Sequence, residues 1–402
     1  MSKDTRNVPA LRFKGFSDAW EKRKLGEIAD IRGGGTPSTS KPEYWDGEID
    51  WYAPAEIGTQ RYVSGSRRQI TNLGLNKSSA TMLPANKTIL FTSRAGIGNA
   101  AILTKSGATN QGFQSIVVKP ATDIYFLYSE VPEIKRKAIR LAAGSTFLEI
   151  SGKSLSKIQI WLPSFKEQSR IGHLFLQIDN LIAATQDKLD HFEEIKKALL
   201  KHLFDQSMRF KGYSDPWEKR KLGELSNIRR GASPRPISSK KWFSETSSIG
   251  WLRISDVTEQ NGRIYHVAQH LSKEGQEKTL VLTTKHLILS IAATVGKPVQ
   301  NYIALGIHDG FIVFLNPKFD LDFMFYFLED YQPKWSRFGQ PGSQVNINSE
   351  LVRELEINVP REDEQKKISH VLLNVDNLIA ATQSKLSSLE SLKKALLQGL
   401  FI

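Results

Sequence analysis

A long internal repeat constrains this chain more than any other feature. The segment RFKGFSDAWEKRKLGEIADIRGG, starting at Arg12, returns as RFKGYSDPWEKRKLGELSNIRRG, starting at Arg209. A second segment, EQSRIGHLFLQIDNLIAATQDKLDHFEEIKKALLKHLF from Glu167, returns as EQKKISHVLLNVDNLIAATQSKLSSLESLKKALLQGLF from Glu364. Both returns come 197 residues later, 12 to 209 and 167 to 364. A solenoid repeats every ~20 to 50 residues, so this period signals a duplicated domain. A chain of 402 residues also exceeds one ordinary core; at roughly 100 to 200 residues per domain it holds two to four.

Between the matched blocks the halves diverge. Gly33 to Pro163 and Arg230 to Pro360 share only scattered features, such as IGNAAI against VGKPVQ and NQGF against HDGF. A kept frame with two different inserts is the pattern of one scaffold that does the same job twice and meets two targets.

After Pro163 the apolar residues Leu174, Ile178, Leu181, Ile182, Leu189, Phe192, Ile195, Leu199 and Leu203 recur at three- and four-residue steps, a stripe on a long helix. Ser164 and Glu167 predict a capping box at its start. The second copy after Pro360 carries Val371, Val375, Leu378, Ile379, Leu386, Leu389, Leu392, Leu396 and Leu400 in the same places. About 38 helical residues at 1.5 Å each extend ~57 Å, and such a stripe does not stay exposed. The expectation is an antiparallel helix pair about a pseudo-two-fold axis, with the variable domains held at opposite ends.

The inserts, near residues 25 to 160 and 222 to 357, alternate short apolar runs (TILFT, AAILT, QSIVVKP; KHLILSI, GFIVFLNP) with Gly, Pro, Ser and Asn turns. The predicted class is α+β: two mixed α/β domains, each a curved sheet with a few helices, including one around Ile124 to Leu141. The expected boundaries are a first variable domain at 1–163, a helix at 164–207, a second domain at 208–360 and a helix at 361–402.

Lys and Arg outnumber Asp and Glu by 55 to 42, a net charge of +13 with a pI near 9.6, which favours a polyanionic partner. The chain has no cysteine, which removes disulfides, zinc–thiolate sites and thiol nucleophiles and suits a reducing cytoplasm. Its start, MSKDTRNVPA, lacks the apolar core of a signal peptide, and no apolar run approaches the ~18 residues of a membrane span. Donor-rich loops interrupt the strands, and Arg and Lys suit guanine edges, Asn and Gln adenine edges, and all of them phosphates. The candidate DNA-facing residues are Thr36, Ser38, Arg67, Arg68, Arg94, Lys105 and Gln111 in the first insert. In the second they are Arg230, Ser233, Arg235, Arg253, Lys297, His308 and Gln344.

No catalytic, cofactor-binding or metal-ligating set emerges. Asn316-Pro317-Lys318-Phe319 lacks the second proline of a base-flipping methyltransferase motif. The run from Gly96 to Ala101 reads as a tight turn, because the residues after it do not open the helix a dinucleotide fingerprint needs. Asp123, Glu133 and Lys135 have no matching set in the second half, and there is no P-loop. His173 and His370 repeat without a metal-ligand neighbour and are expected to serve helix packing or an interface.

The chain resembles, along essentially its whole length, the specificity subunits of type I restriction-modification enzymes. The resemblance rests on W-E-x-x-x-L-G-E at Trp20 and Trp217, the G-G-T-P turn at Gly34 to Pro37, the E-Q-x-x-I block opening each long helix, and the G-S-T run at Gly144 to Thr146, echoed at Gly342-Ser343-Gln344. The second turn, Gly231-Ala232-Ser233-Pro234, departs from this pattern. The resemblance implies two target-recognition domains, each reading half of a bipartite, asymmetric double-stranded DNA site, with the helices as a spacer that sets the gap. It also implies docking of two modification subunits that carry S-adenosylmethionine, joined by restriction subunits, and no cofactor or catalytic residue in this chain. Other classes remain: a target-recognition subunit of a related non-type-I system, an enzyme with an unrecognised motif, or a protein-binding scaffold.

Overall fold

The computed structural model describes residues 7–143, 148–291, 294–338 and 347–402. The first half runs through β1 (Glu21–Lys24), α1 (Leu25–Ile28), β2 (Ala29–Gly33), β3 (Trp45–Tyr52), β4 (Tyr62–Val63), β5 (Arg68–Ile70) and α2 (Asn72–Asn76). It continues with β6 (Thr88–Phe91), β7 (Ala100–Leu103), β8 (Gly107–Thr109), β9 (Gln114–Val118), α3 (Ile124–Ser129), α4 (Val131–Leu141), α5 (Gly152–Ser156), β10 (Gln159–Leu162) and the 40-residue α6 (Phe165–Phe204).

The second half repeats this plan with β11 (Glu218–Lys221), α7 (Leu222–Leu225), β12 (Asn227–Arg230), β13 (Gly250–Leu252), α8 (Ile254–Glu259), β14 (Arg263–Ile264), α9 (Lys273–Gln276), β15 (Leu280–Leu282) and β16 (Leu287–Ser290). It ends with β17 (Pro298–Asn301), β18 (Leu305–Ile307), β19 (Phe311–Leu315), α10 (Leu321–Tyr331), α11 (Ser349–Glu354), β20 (Glu356–Val359) and the 39-residue α12 (Glu362–Leu400).

The chain forms two compact units, residues 1–186 with 384–402, and residues 187–383. In the first unit a five-stranded sheet runs β2-β9-β6-β7-β4, and β5-β3-β8 form a second sheet. In the second unit the corresponding sheets run β12-β19-β16-β17-β14 and β13-β18-β15. The strands are short, and the central β6 (TILF) and β16 (LILS) are buried at every position, as expected for strands covered on both faces.

Each unit takes one end of each long helix. In the first, Asp179 of α6 pairs with Lys393 of α12 at 2.7 Å, while Phe175, one turn earlier, meets Phe401. Moving back along α6 therefore means moving forward along α12, so the helices run antiparallel here. In the second unit Lys196 pairs with Asp376 at 2.9 Å, and Leu203 shares a core with Leu372 and Ile368. Lys196 and Lys393, like Asp179 and Asp376, are repeat equivalents, so the two ion pairs are one contact written twice. The end of each long helix thus closes the core of the unit that the other half begins: Phe401 packs on Trp20 and Phe126, and Phe204 on Phe323.

The repeated E-Q block is explained by tertiary contacts. The Arg12 guanidinium donates twice to Glu167, at 2.8 Å each, and to the Asp18 carbonyl at 2.6 Å. Arg209 does the same to Glu364, at 3.0 and 2.7 Å, and to Asp215. Gln168 accepts from the Asp123 N–H and donates to the Pro163 carbonyl, and Gln365 binds Asp320 and Pro360 alike.

The predicted capping box is thereby half corrected. The Glu167 N–H does donate to Ser164 Oγ at 3.4 Å, but the Glu167 carboxylate turns to Arg12 instead of back to the cap. The helix predicted around Ile124 to Leu141 is two, with Pro132 in the first turn of α4, where a missing N–H costs nothing.

Candidate nucleic-acid interface

The recognition candidates gather where β2 and β12 end. A Cβ on Gly34 would lie 1.9 Å from the Asn110 carbonyl oxygen, and one on Gly231 2.3 Å from that of His308, so each turn needs glycine to approach the loop before β9 or β19. Backbone bonds fix that approach: Gly35 N–H to the Thr109 carbonyl at 2.8 Å, and Ala232 N–H to Ile307 at 3.0 Å.

The facing loops, NQGF and HDGF, have one construction. Their first side chain accepts the glycine N–H two residues on: Asn110 Oδ1 from Gly112 and His308 Nδ1 from Gly310, both at 2.8 Å. Their second side chain accepts a hydroxyl from the turn: Gln111 Oε1 from Thr36, and Asp309 Oδ1 from Ser233 at 2.7 Å. Phe113 and Phe311 are fully buried and anchor the loops. The departure of the second turn from G-G-T-P therefore leaves the loop contact intact, since serine supplies the same hydroxyl.

Around this common frame the chemistry differs. In the first unit Thr36 engages Gln111 Oε1, and Gln111 Nε2 has no partner among the described residues. Trp51 Nε1 donates to the Gly35 carbonyl at 2.8 Å and Trp45 Nε1 to that of Ser38 at 3.1 Å, while the two indoles meet edge to face at 5.1 Å. The Arg68 guanidinium stacks 3.6 Å over Trp45, beside the turn. Arg94 follows Ser93, whose N–H binds the Gly112 carbonyl, and its side chain lies 4.0 Å from Glu149.

In the second unit Asp309 is a hub. Arg235 reaches its carboxylate at 2.8 Å, Arg230 donates to its carbonyl at 2.6 Å, and His308 Nε2 lies 3.3 Å from Oδ1. Burial works to raise the Asp309 carboxyl, but the Ser233 hydroxyl and the charges of His308, Arg235 and Arg230 hold it below the usual range. Burial pushes the His308 ring down, consistent with Nδ1 accepting from Gly310. Arg253 and His308 each follow the Leu252↔Ile307 register pair, where the parallel strands β13 and β18 end.

Other candidates lie apart from these clusters. Lys105 binds the buried Asp50 at 2.7 Å, at the end of β8 away from Gln111. Against the effect of burial, hydrogen bonds from Lys105, Ser66 and Gln69 hold the Asp50 carboxyl low. Arg67 is exposed, its N–H bonded to Glu56. The Lys297 ammonium turns to Asn261 at 2.8 Å. Gln344 and both G-S runs lie outside the described residues.

Sequence reasoning missed Asp309, Trp45 and Trp51; aligning HDGF on NQGF residue by residue is the signal that finds the first.

The motifs set aside for catalysis have structural roles. Asn316, with φ of 47°, turns the chain after β19, and Phe319 is buried. Gly96 and Gly98, both with positive φ, form the tight link between β6 and β7. Asp123 caps α3, Glu133 binds Arg136 and Lys135 binds Asn99. His173 and His370 are exposed and bond Gln177 and Asn374, so their expected part in helix packing is corrected: they lie off the buried stripe of Ile171, Phe175 and Ile178. Among the described residues no acidic or histidine group could hold a metal ion, and no helix is long and apolar enough to cross a membrane.

Two stretches, residues 17–194 and 214–391, match the family model described as the type I restriction modification DNA specificity domain. Curated relatives include the MjaIX specificity subunit of Methanocaldococcus jannaschii, 30% identical over 59% of this chain and 58% of that one. The EcoR124I/EcoR124II specificity subunit of Escherichia coli is 27% identical over 50% of each chain, so the chain spans about half the length of these two relatives. The MjaVIII subunit of M. jannaschii aligns over 94% of this chain and 91% of its own at 22% identity. In fold the chain is similar to a type I restriction-modification S subunit from M. genitalium, with a TM-score of 0.67 and 15% identity over 98% of this chain and 99% of that one. The two matched stretches repeat the 197-residue offset, and the chain belongs to the type I restriction modification DNA specificity domain family, with the domain present twice.

Proposed function

We propose that this chain is a non-catalytic DNA-recognition subunit whose two units each read one half of a bipartite, asymmetric duplex site. In this reading two modification subunits, which carry S-adenosylmethionine, and restriction subunits assemble on it in the cytoplasm. One observation carries the proposal: the same hydroxyl-to-loop contact presents Gln111 in one unit and Asp309 with Arg230 and Arg235 in the other. An amide offers donor and acceptor to an adenine edge, a carboxylate accepts from cytosine N4, and a guanidinium donates to guanine. Equal frames with unequal edges are what two different half-sites require. Lys and Arg around them supply affinity through phosphates, which carries no sequence information.

The test is selection of duplexes from a random pool by the chain assembled with its modification subunits, for wild type and Asp309→Asn. The expected result is a bipartite motif whose one half relaxes in the variant. A single contiguous motif, or none, would refute the proposal. The purified chain alone, given S-adenosylmethionine and that duplex, should transfer no methyl group.

A further inference from the structure

The two units differ in charge on the faces formed by β1–β10 in the first and β11–β20 in the second. In the second unit the strand lysines are neutralised: Lys219 binds Glu356 at 2.6 Å and Lys221 binds Glu354 at 2.5 Å. In the first unit the equivalents of Glu354 and Glu356 are Lys157 and Gln159, and that of Asn358 is Trp161. A groove of about 420 Å³ opens there, lined by Lys22, Lys137, Arg140, Lys157 and Trp161. Lys22 lies 5.6 Å over the Trp161 ring, and Lys137 is held by the Gln159 carbonyl and by Glu133. Among the described residues Lys22, Arg140 and Lys157 have no carboxylate partner, and all three are exposed.

We infer that this groove binds the phosphate backbone of duplex DNA beyond the half-site that the first unit reads; the inference rests on the DNA-recognition reading above. Three exposed cations without carboxylate partners, beside an aromatic ring, concentrate positive potential that favours a polyanion, which gains affinity by releasing counterions. Position selects DNA. At one end of α5, Gly152 packs on Gln114, the residue with which β9 leaves the Gln111 loop; at the other end Lys157 enters the groove. That helix has five residues, ~7.5 Å at 1.5 Å each, so the groove continues the candidate interface. The second unit, with glutamates in the same places, lacks this extension, and the complex grips DNA harder on one flank than on the other.

The test uses the chain assembled with its modification subunits and a duplex carrying the sequence that the complex methylates, with affinity measured across a potassium chloride series. Each phosphate contact contributes about 0.9 to the slope of log affinity against log salt. Arg140→Gln with Lys157→Gln should therefore lower the slope by about 1.8 without changing the melting temperature. Lys219→Gln with Lys221→Gln should leave it unchanged. A duplex trimmed on the flank of the first half-site should lower the wild-type slope to that of the Arg140/Lys157 variant and lower the variant's no further. An unchanged slope in that variant overturns the inference while the DNA reading stands. So does loss of a protein component with the slope intact, which would assign the groove to an acidic protein surface. A wild-type complex that does not bind the duplex overturns both.

Discussion

Replacing Arg12 with alanine tests whether the repeated E-Q block holds each unit together through a buried charge. The Glu167 side chain is 1% exposed and both bonds from Arg12 are 2.8 Å long, so the substitution strands a carboxylate inside the protein. Removing one partner of a buried pair costs about 3 to 5 kcal/mol, far more than the pair's own net contribution, because the remaining charge has lost its water and its partner. Arg209→Ala should cost the same, since Glu364 is 3% exposed and bound in the same way. The double replacement Arg12→Ala with Glu167→Gln should recover much of the loss, because no bare charge remains. Arg23→Ala is the control: its pair with Glu21 is about half exposed on one side and more on the other, and an exposed pair contributes under about 1 kcal/mol. The assay is urea denaturation followed by circular dichroism. A cost for Arg12→Ala no greater than that for Arg23→Ala would refute the reasoning.

Glu130 supplies a prediction in pH. It is buried between α3 and α4, and burial pushes its carboxyl from the ordinary 4.5 up to about 7. The folded state then binds the proton more tightly than the unfolded state, so this group's effect is absent below about pH 4.5 and stability falls as pH rises through about 7. Glu130→Gln should add about 3 kcal/mol at about pH 8 and nothing at about pH 4, read by denaturation at both values; equal gains at both would contradict the assignment. Gly34→Ala should distort the turn, because its Cβ would meet the Asn110 carbonyl at 1.9 Å. Overpacking of this kind costs about 1 to 3 kcal/mol, and DNA binding should fall further than stability, measured by anisotropy beside a melting curve.

Much of this architecture is legible in the sequence, for a physical reason. Helical periodicity is local, so the stripes from Leu174 and Val371 identify α6 and α12, and repetition at a constant offset marks the frame. What is not local is not legible. Glu167 looks like a capping residue until the fold brings Arg12, distant by 155 positions, against it. Phe401 and Phe204 look like frayed ends of their helices, yet each closes a core begun by the other half. In the interface, Thr36 with Gln111 and Ser233 with Asp309 are joined only by the fold. Trp45 and Trp51 are not among the sequence candidates, because nothing in their spacing shows that their indole N–H groups brace a turn and that Arg68 lies over one of them. Lys105 and Lys297 are basic like the arginine candidates, but a buried aspartate and an asparagine bind them apart from the two clusters.

In the proposed function each unit reads its own half of a DNA site. The most direct test is single-molecule mapping of methylated adenine in DNA from cells that express this chain with its modification subunits. The mapping is repeated without the chain and with residues 25 to 160 exchanged for those of a relative. The expected result is a chain-dependent bipartite motif with a fixed gap, in which the exchange rewrites one half and leaves the other half and the gap intact. Methylation independent of the chain, or an exchange that alters both halves together, would contradict that function.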